Sequence, residues 1–194
     1  EKILRLAALS LAAALLSAPL AHAQQGAFTT PAQHVAIMDA ASGAILYCND
    51  CQTPMPPASM SKIMTVLLVA EALEAGRITL DTPLTVSERA WRHGAMSDGS
   101  HMFLEINSTV SVRDLLRGAI IVSANDACIV LAEGMFGSEE AFVAEMNRRA
   151  QALGLQSARF RNSTGLPDPD HVISSADLAR LARHLINAYP EIYR

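Results

Sequence analysis

The sequence predicts a mixed α/β fold of the α+β kind: one antiparallel hairpin followed by helices. Three observations carry this. Residues 34–48, HVAIMDAASGAILYC, hold two β-prone runs around AASG, a turn signal that carries Gly43. From Ser59 onward, apolar residues recur at helical spacing in segments bounded by serine or glycine. No further hairpin signal, internal repeat or low-complexity linker follows. A lone hairpin is marginal in water, so the sheet is expected to be finished by residues after Arg194.

The elements follow in order. NDCQTPMPP, residues 49–57, is a proline-rich loop. Ser59 then starts a helix that runs to about Ala75 and is stopped by Gly76. Apolar residues at 63, 64, 66, 67, 68, 70 and 73 cover most of its faces, which places it centrally and buried. Residues 77–90 read as a turn, a short extended piece and a helix start at Ser87. Residues 92–110 form a long polar loop with one apolar knot, Met102–Leu104. Ser111 caps a helix to about Val122, with Asp114 three positions on. A break at SAND separates it from a second helix to Glu133. An amphipathic helix capped by Ser138 ends at Gly154. Residues 162–174, NSTGLPDPDHVIS, are a loop, and the final helix is interrupted by Pro190.

The first 23 residues stand apart. Lys2 and Arg5, an apolar core from Leu6 to Leu16 and Ala21-His22-Ala23 follow the order of a secretory signal peptide. The apolar core is too short to span a bilayer. About 170 residues remain, enough for one core. Without residues 1–23 the net charge moves from −4 to −5, which provides no electrostatic footprint for nucleic acid.

Cys128 sits alone in an apolar segment, as a small buried thiol would. Cys48 and Cys51, in CNDC, are able to pair with each other in an exported chain; a redox site or half a metal site are the alternatives. No second cysteine pair and no spaced histidine pair completes a zinc set, so neither a metal nor another cofactor is expected. CNDCQTP reads as a turn, not as the helix start that activates a redox cysteine.

Two constellations carry chemistry. Ser59 stands three residues before Lys62, at the start of the apolar helix and on the same side of it. Lys62 is the one lysine after Ala23; the other twelve cations there are arginine. Arginine does not lose its proton in a protein, whereas a buried lysine can, and a neutral amine one turn from a hydroxyl activates it as a nucleophile. The competing reading makes Ser59 an N-cap and Lys62 a solvated first-turn cation. The second constellation, Ser123-Ala124-Asn125, interrupts two apolar helical runs with a hydroxyl and an amide. By itself it reads equally as a helix junction, with Ser123 capping the next helix.

Together, PASMSKIMT, SVRDLLRGAIIVSANDACIVLAE and NSTGLPDPDHVISSADLARLARHL, with GSHMFLE before the second motif, resemble the serine D-alanyl-D-alanine carboxypeptidases. These are the low-molecular-mass penicillin-binding proteins, with the motif order S-x-x-K, S-x-N and K-T-G. The resemblance runs from about residue 33 to the end. It implies a β-lactamase/transpeptidase-like fold, an antiparallel sheet flanked by helices, here truncated before the last strands. It implies Ser59 as the acylated nucleophile, Lys62 as its general base, Ser123 as a proton relay and Asn125 as a contact to the substrate's peptide amide. The backbone N–H of Ser59 would form half of an oxyanion hole. The implied partners are peptidoglycan stem peptides ending in D-Ala-D-Ala, with β-lactams as covalent inhibitors. Export to the periplasm or the outer face of the cytoplasmic membrane goes with this, as does membrane contact through a C-terminal tail.

The sequence departs from the family in one respect: no Lys-Thr-Gly or Lys-Ser-Gly occurs. Residues 24–194 are therefore expected to be the N-terminal part of the catalytic domain, inactive by themselves. A class A-like β-lactamase would need a glutamate to activate the deacylating water, and residues 162–171 offer only Asp168 and Asp170. A DD-endopeptidase shares the same motifs. A non-catalytic peptidoglycan-binding relative would have no reason to keep Ser59, Lys62, Ser123 and Asn125 together.

Overall fold

The computed structural model describes residues 28–97 and 99–194. The chain divides into two compact units, Glu1–Pro31 and Ala32–Arg194. Among the described residues, the helices and strands all belong to the second unit. The expected signal peptide, residues 1–23, lies outside the described residues. Among those described, no helix is long and apolar enough to cross a membrane.

The predicted hairpin is present as β1 (Val35–Met38) and β2 (Ile45–Asn49), antiparallel with a register shift between Ile37 and Met38. Its turn uses Gly43 at φ +79°, with Asp39 accepting from the backbone N–H and hydroxyl of Ser42. Two further antiparallel pairs were not legible as hairpins. β3 (Pro54–Met55) pairs with β6 (Ile173–Ser174), and β4 (Pro83–Thr85) pairs with β5 (Thr109–Ser111). The expectation of helices and loops alone after the hairpin is thus corrected. These strands are two or three residues long and meet across long stretches of chain, so no local turn announces them.

The helices fall close to where apolar spacing and caps put them, except that the helix after Ser87 runs to Met96 and takes the first residues of the expected loop 92–110. A 3-10 turn (Ala58–Ser61) leads into α1 (Lys62–Glu74). Next come α2 (Glu88–Met96), α3 (Val112–Ile121), α4 (Asn125–Phe136), α5 (Glu139–Ala152), α6 (Ser175–Ala188) and the short α7 (Pro190–Tyr193). Ser87, Ser111, Ser138 and Ser174 each accept a backbone N–H three residues on, capping α2, α3, α5 and α6. Each such cap stabilises by about 1 kcal/mol. Pro190 occupies the first turn of α7, where its missing N–H has no partner to lose.

α1 and α4 are the centre of the second unit. Met64, Leu67, Val69 and Ala70 of α1, and Ala127, Ile129, Val130 and Leu131 of α4, are buried, so both helices are apolar nearly all round. Leu115, Phe142, Met146, Phe160, Ile173 and Leu181 close the core from the other elements. The functional consequence is positional: the N-termini of these two buried helices carry Lys62 and Asn125.

Candidate active site

Ser59 is exposed, in the 3-10 turn that precedes α1. The sequence places it at the helix start; the structure places the α-helical start three residues later, at Lys62. Ser59 is not an N-cap. The flanking positions of the turn and of α1 are Pro57 and Ser61, and neither provides a side-chain cap. Instead Ser59 Oγ lies 3.2 Å from Lys62 Nζ. The residue before it, Ala58, holds φ +50°, uncommon for a residue with a Cβ.

Lys62 is 5% exposed and takes part in none of the ion pairs among the described residues. Burial pushes its pKa below the ordinary lysine value. The positive end of α1, where it stands, acts in the same direction. Its Nζ donates to Asn125 Oδ1 at 2.8 Å and to the carbonyl of Thr164 at 2.7 Å. Both partners are acceptors only, whereas the Ser59 hydroxyl can donate or accept. As an ammonium, Lys62 donates to all three. As a neutral amine it keeps the two shorter bonds and turns its lone pair to the Ser59 hydroxyl. The geometry is thereby suited to taking the serine's proton.

Asn125 is buried at the first turn of α4, and its own N–H donates to the carbonyl of Ser100 at 2.8 Å. Gly99, at φ +120°, comes so close that a Cβ there would stand 2.9 Å from Asn125 Nδ2. Ser123 lies in the break between α3 and α4 at φ +58°, and Ala124, not Ser123, occupies the capping position. Its hydroxyl makes no hydrogen bond to Lys62 or Ser59, but it lines with them a cavity of about 300 Å³. A second cavity of about 300 Å³ also reaches Ser59, against Gly99, Asn125, Thr164 and Asp168.

The third wall was only partly legible. Residues 162–165, NSTG, form a tight loop in which Asn162 Oδ1 accepts from the Thr164 N–H, the Thr164 hydroxyl and the Gly165 N–H. Ser163 is clamped from two helices. Thr65 of α1 donates to its carbonyl, and Glu139 of α5 accepts from both its N–H and its hydroxyl. The other oxygen of Glu139 pairs with Arg89 of α2 at 2.5 Å. This clamp fixes the Thr164 carbonyl that Lys62 uses. Asp168 lines the second cavity and accepts from the Asp170 N–H, while Asp170 is exposed and pairs with Arg161.

Asp126, beside Asn125, is buried. Its carboxylate accepts from the backbone N–H groups of Met102 and Leu104, tying the loop after α2 to α4. A disulfide joins Cys48, in β2, to Cys51, in the turn that follows, and the Cys51 carbonyl accepts from the N–H of Ala176 at the start of α6. Burial pushes the Cys128 thiol up to about 12, so it stays protonated. Among the described residues, no three His, Cys, Asp or Glu side chains gather as a metal-ligand set.

Residues 20–194 match the D-alanyl-D-alanine carboxypeptidase family of peptidases. The chain is 40% identical over 177 residues to D-alanyl-D-alanine carboxypeptidase DacF of Bacillus subtilis, covering 89% of this chain and 44% of that relative. It is 40% identical over 183 residues to D-alanyl-D-alanine carboxypeptidase DacC of Escherichia coli, covering 92% and 46%. Among solved structures, penicillin binding protein 5 from Haemophilus influenzae superposes with a TM-score of 0.79 at 39% identity, over 86% of this chain and 49% of that one. The chain thus spans less than half the length of these curated relatives.

Proposed function

The chain belongs to the D-alanyl-D-alanine carboxypeptidase family, with the mixed α/β fold of the penicillin-binding proteins, and on that premise we propose that it carries the acylating half of such an enzyme's active site. The full-length protein containing it removes the terminal D-Ala from peptidoglycan stem peptides. One observation supports this most: an exposed serine hydroxyl 3.2 Å from a buried lysine whose other two hydrogen bonds go to fixed carbonyl oxygens.

The steps follow from that arrangement. Lys62, neutral, accepts the Ser59 proton as Oγ bonds to the carbonyl carbon of the penultimate D-Ala. The tetrahedral oxyanion is held by the backbone N–H of Ser59 and by a second donor on the strand that follows these elements in the family's motif order. Removing one such donor typically costs about 10²–10³ in rate. The proton passes through Ser123 to the leaving nitrogen, the C–N bond breaks, and D-Ala departs. Water then cleaves the ester. Asn125 orients the substrate amide. β-Lactams, as acyl donors, esterify the same oxygen. Residues 1–23 direct export, to the periplasm or the outer face of the cytoplasmic membrane, where the substrate lies.

The test is labelling of the full-length protein with a fluorescent penicillin, together with D-Ala release from a stem-peptide analogue. Both are expected to vanish in Ser59→Ala. Covalent label on any residue other than Ser59 would refute the assignment.

A further inference from the structure

A buried histidine outside the three motifs is wired to the nucleophile's turn. His171 is 2% exposed, and its Nδ1 accepts from the backbone N–H of Arg161 at 3.1 Å. An amide N–H is only a donor, so Nδ1 is unprotonated and Nε2 carries the hydrogen. Nε2 lies 2.7 Å from the hydroxyl of Ser61, which is fully buried. With its oxygen accepting from His171, the Ser61 hydroxyl donates to the carbonyl of Ala58 at 3.0 Å. The direction of every bond in the chain is thereby determined: Arg161 to His171, His171 to Ser61, Ser61 to Ala58.

The Ala58 carbonyl belongs to the peptide bond whose nitrogen is that of Ser59. A planar trans peptide points its C=O and N–H in opposite directions. Whatever fixes the carbonyl therefore fixes the Ser59 N–H. Two further features show that this plane is held against an intrinsic preference. Ala58 sits at φ +50°, and Gly165 approaches so closely that a Cβ there would stand 1.9 Å from the Ala58 oxygen. His171 is itself held by edge-to-face contact with Phe160, their ring centres 5.6 Å apart. Phe160 is in turn bonded through its backbone to Asn147 of α5.

We infer that His171 is a positioning residue for acylation: acting through Ser61, it orients the Ala58–Ser59 peptide and so aims the Ser59 N–H at the developing oxyanion. This rests on the acyl-transfer reading above. It assigns to the loop of residues 162–172 a role that does not touch substrate. Burial lowers the His171 pKa, which agrees with an imidazole required in its neutral form.

The test is the concentration dependence of acylation by a fluorescent penicillin in the full-length protein. It separates the acylation rate from the non-covalent dissociation constant. Ser61→Ala and His171→Phe are each expected to slow acylation by about 10- to 100-fold, short of outright loss of an oxyanion donor, with the dissociation constant little changed. The double variant is expected to be no slower than either single one, because both break the same thread. His171→Gln, which can present an N–H to Ser61, is expected to recover most of the rate. Should His171→Phe fail to fold, Ser61→Ala with His171→Gln carries the comparison. An unchanged rate in Ser61→Ala, additive losses in the double variant, or no recovery in His171→Gln would overturn the inference. A protein that labels at Ser59 but ignores these changes refutes this proposal alone. One that never labels at Ser59 overturns the acyl-transfer reading, and this proposal with it.

Discussion

Gly165→Ala is the substitution whose effect can be worked furthest from the geometry. Gly165 holds φ +85°, a region where a Cβ costs about 1–2 kcal/mol. The new methyl would also stand 1.9 Å from the Ala58 oxygen, 2.5 Å from its carbonyl carbon and 3.1 Å from the Ser59 nitrogen. All three are backbone atoms, so no side-chain rotation relieves the overlap. Oxygen and methyl must separate by about 1 Å or more to reach ordinary contact. Overpacking of that kind costs about 1–3 kcal/mol, and with the backbone strain the sum is about 2–5 kcal/mol. For a domain of this size that corresponds to a fall in Tm of roughly 4–20 °C. The functional loss is expected to be larger, because the displaced atoms are those of the Ala58–Ser59 peptide. A 1 Å misplacement of a reacting group costs on the order of 10² in rate. The assay is acylation of the full-length protein by a fluorescent penicillin, alongside thermal unfolding. A Gly165→Ala protein with unaltered Tm and unaltered acylation rate would refute the argument that this glycine shapes the nucleophile's turn.

Other outcomes follow from the same geometry. Asp126→Asn puts an amide NH₂ where a carboxylate accepts from Met102 and Leu104; destabilisation of about 1–3 kcal/mol is expected. Hydrogen exchange at those two amides should quicken more than elsewhere. Leu67→Ala, in the centre of α1 and fully buried, is expected to cost about 2–5 kcal/mol in chemical denaturation. Reducing the Cys48–Cys51 disulfide, which closes a very short loop, is expected to cost about 2 kcal/mol, and a Cys48→Ser/Cys51→Ser protein should unfold at the same denaturant concentration as the reduced form. His171 has a lowered folded pKa, so the unfolded chain binds its proton first. Stability attributable to it is complete above about pH 6.5 and falls as the pH drops below that value toward the folded pKa. Asp168, whose charge opposes the shift, and the exposed Arg161–Asp170 pair stand around it. Plots of Tm against pH should show this acid-side loss in the wild type and a smaller one in His171→Gln, the remainder belonging to His184, whose pKa burial also lowers.

What the sequence made legible was whatever is written in side chains at short range. Ser59 and Lys62 are three residues apart, and helical spacing alone brings them to one side. The serine caps at 87, 111 and 138 sit where apolar periodicity begins, and Gly43 marks its turn by backbone freedom. Asn125 was singled out because an amide interrupts an apolar run. The features that escaped are those in which backbone acts, or in which partners are distant in sequence. The Thr164 carbonyl that Lys62 grips could be supplied by any residue. The β3–β6 and β4–β5 pairs join strands too short to show an alternation. His171 reads as one more polar residue in a loop until Ser61, 110 positions earlier, is placed against it. Gly165 lies in a stretch of turn-forming residues, and nothing local distinguishes a glycine required by a neighbouring carbonyl from one required by its own turn.

The scarcity of lysine has a practical side. Between Ala23 and Arg194 the chain presents one ε-amino group, and that group is 5% exposed behind Ser59, Asn125 and Thr164. Within this stretch a water-soluble amine-modifying reagent therefore meets arginines, which it leaves alone, and a single lysine, which is shielded. Its slow incorporation at residue 62 becomes a clock for transient opening of the cleft, read by mass spectrometry without any engineered probe.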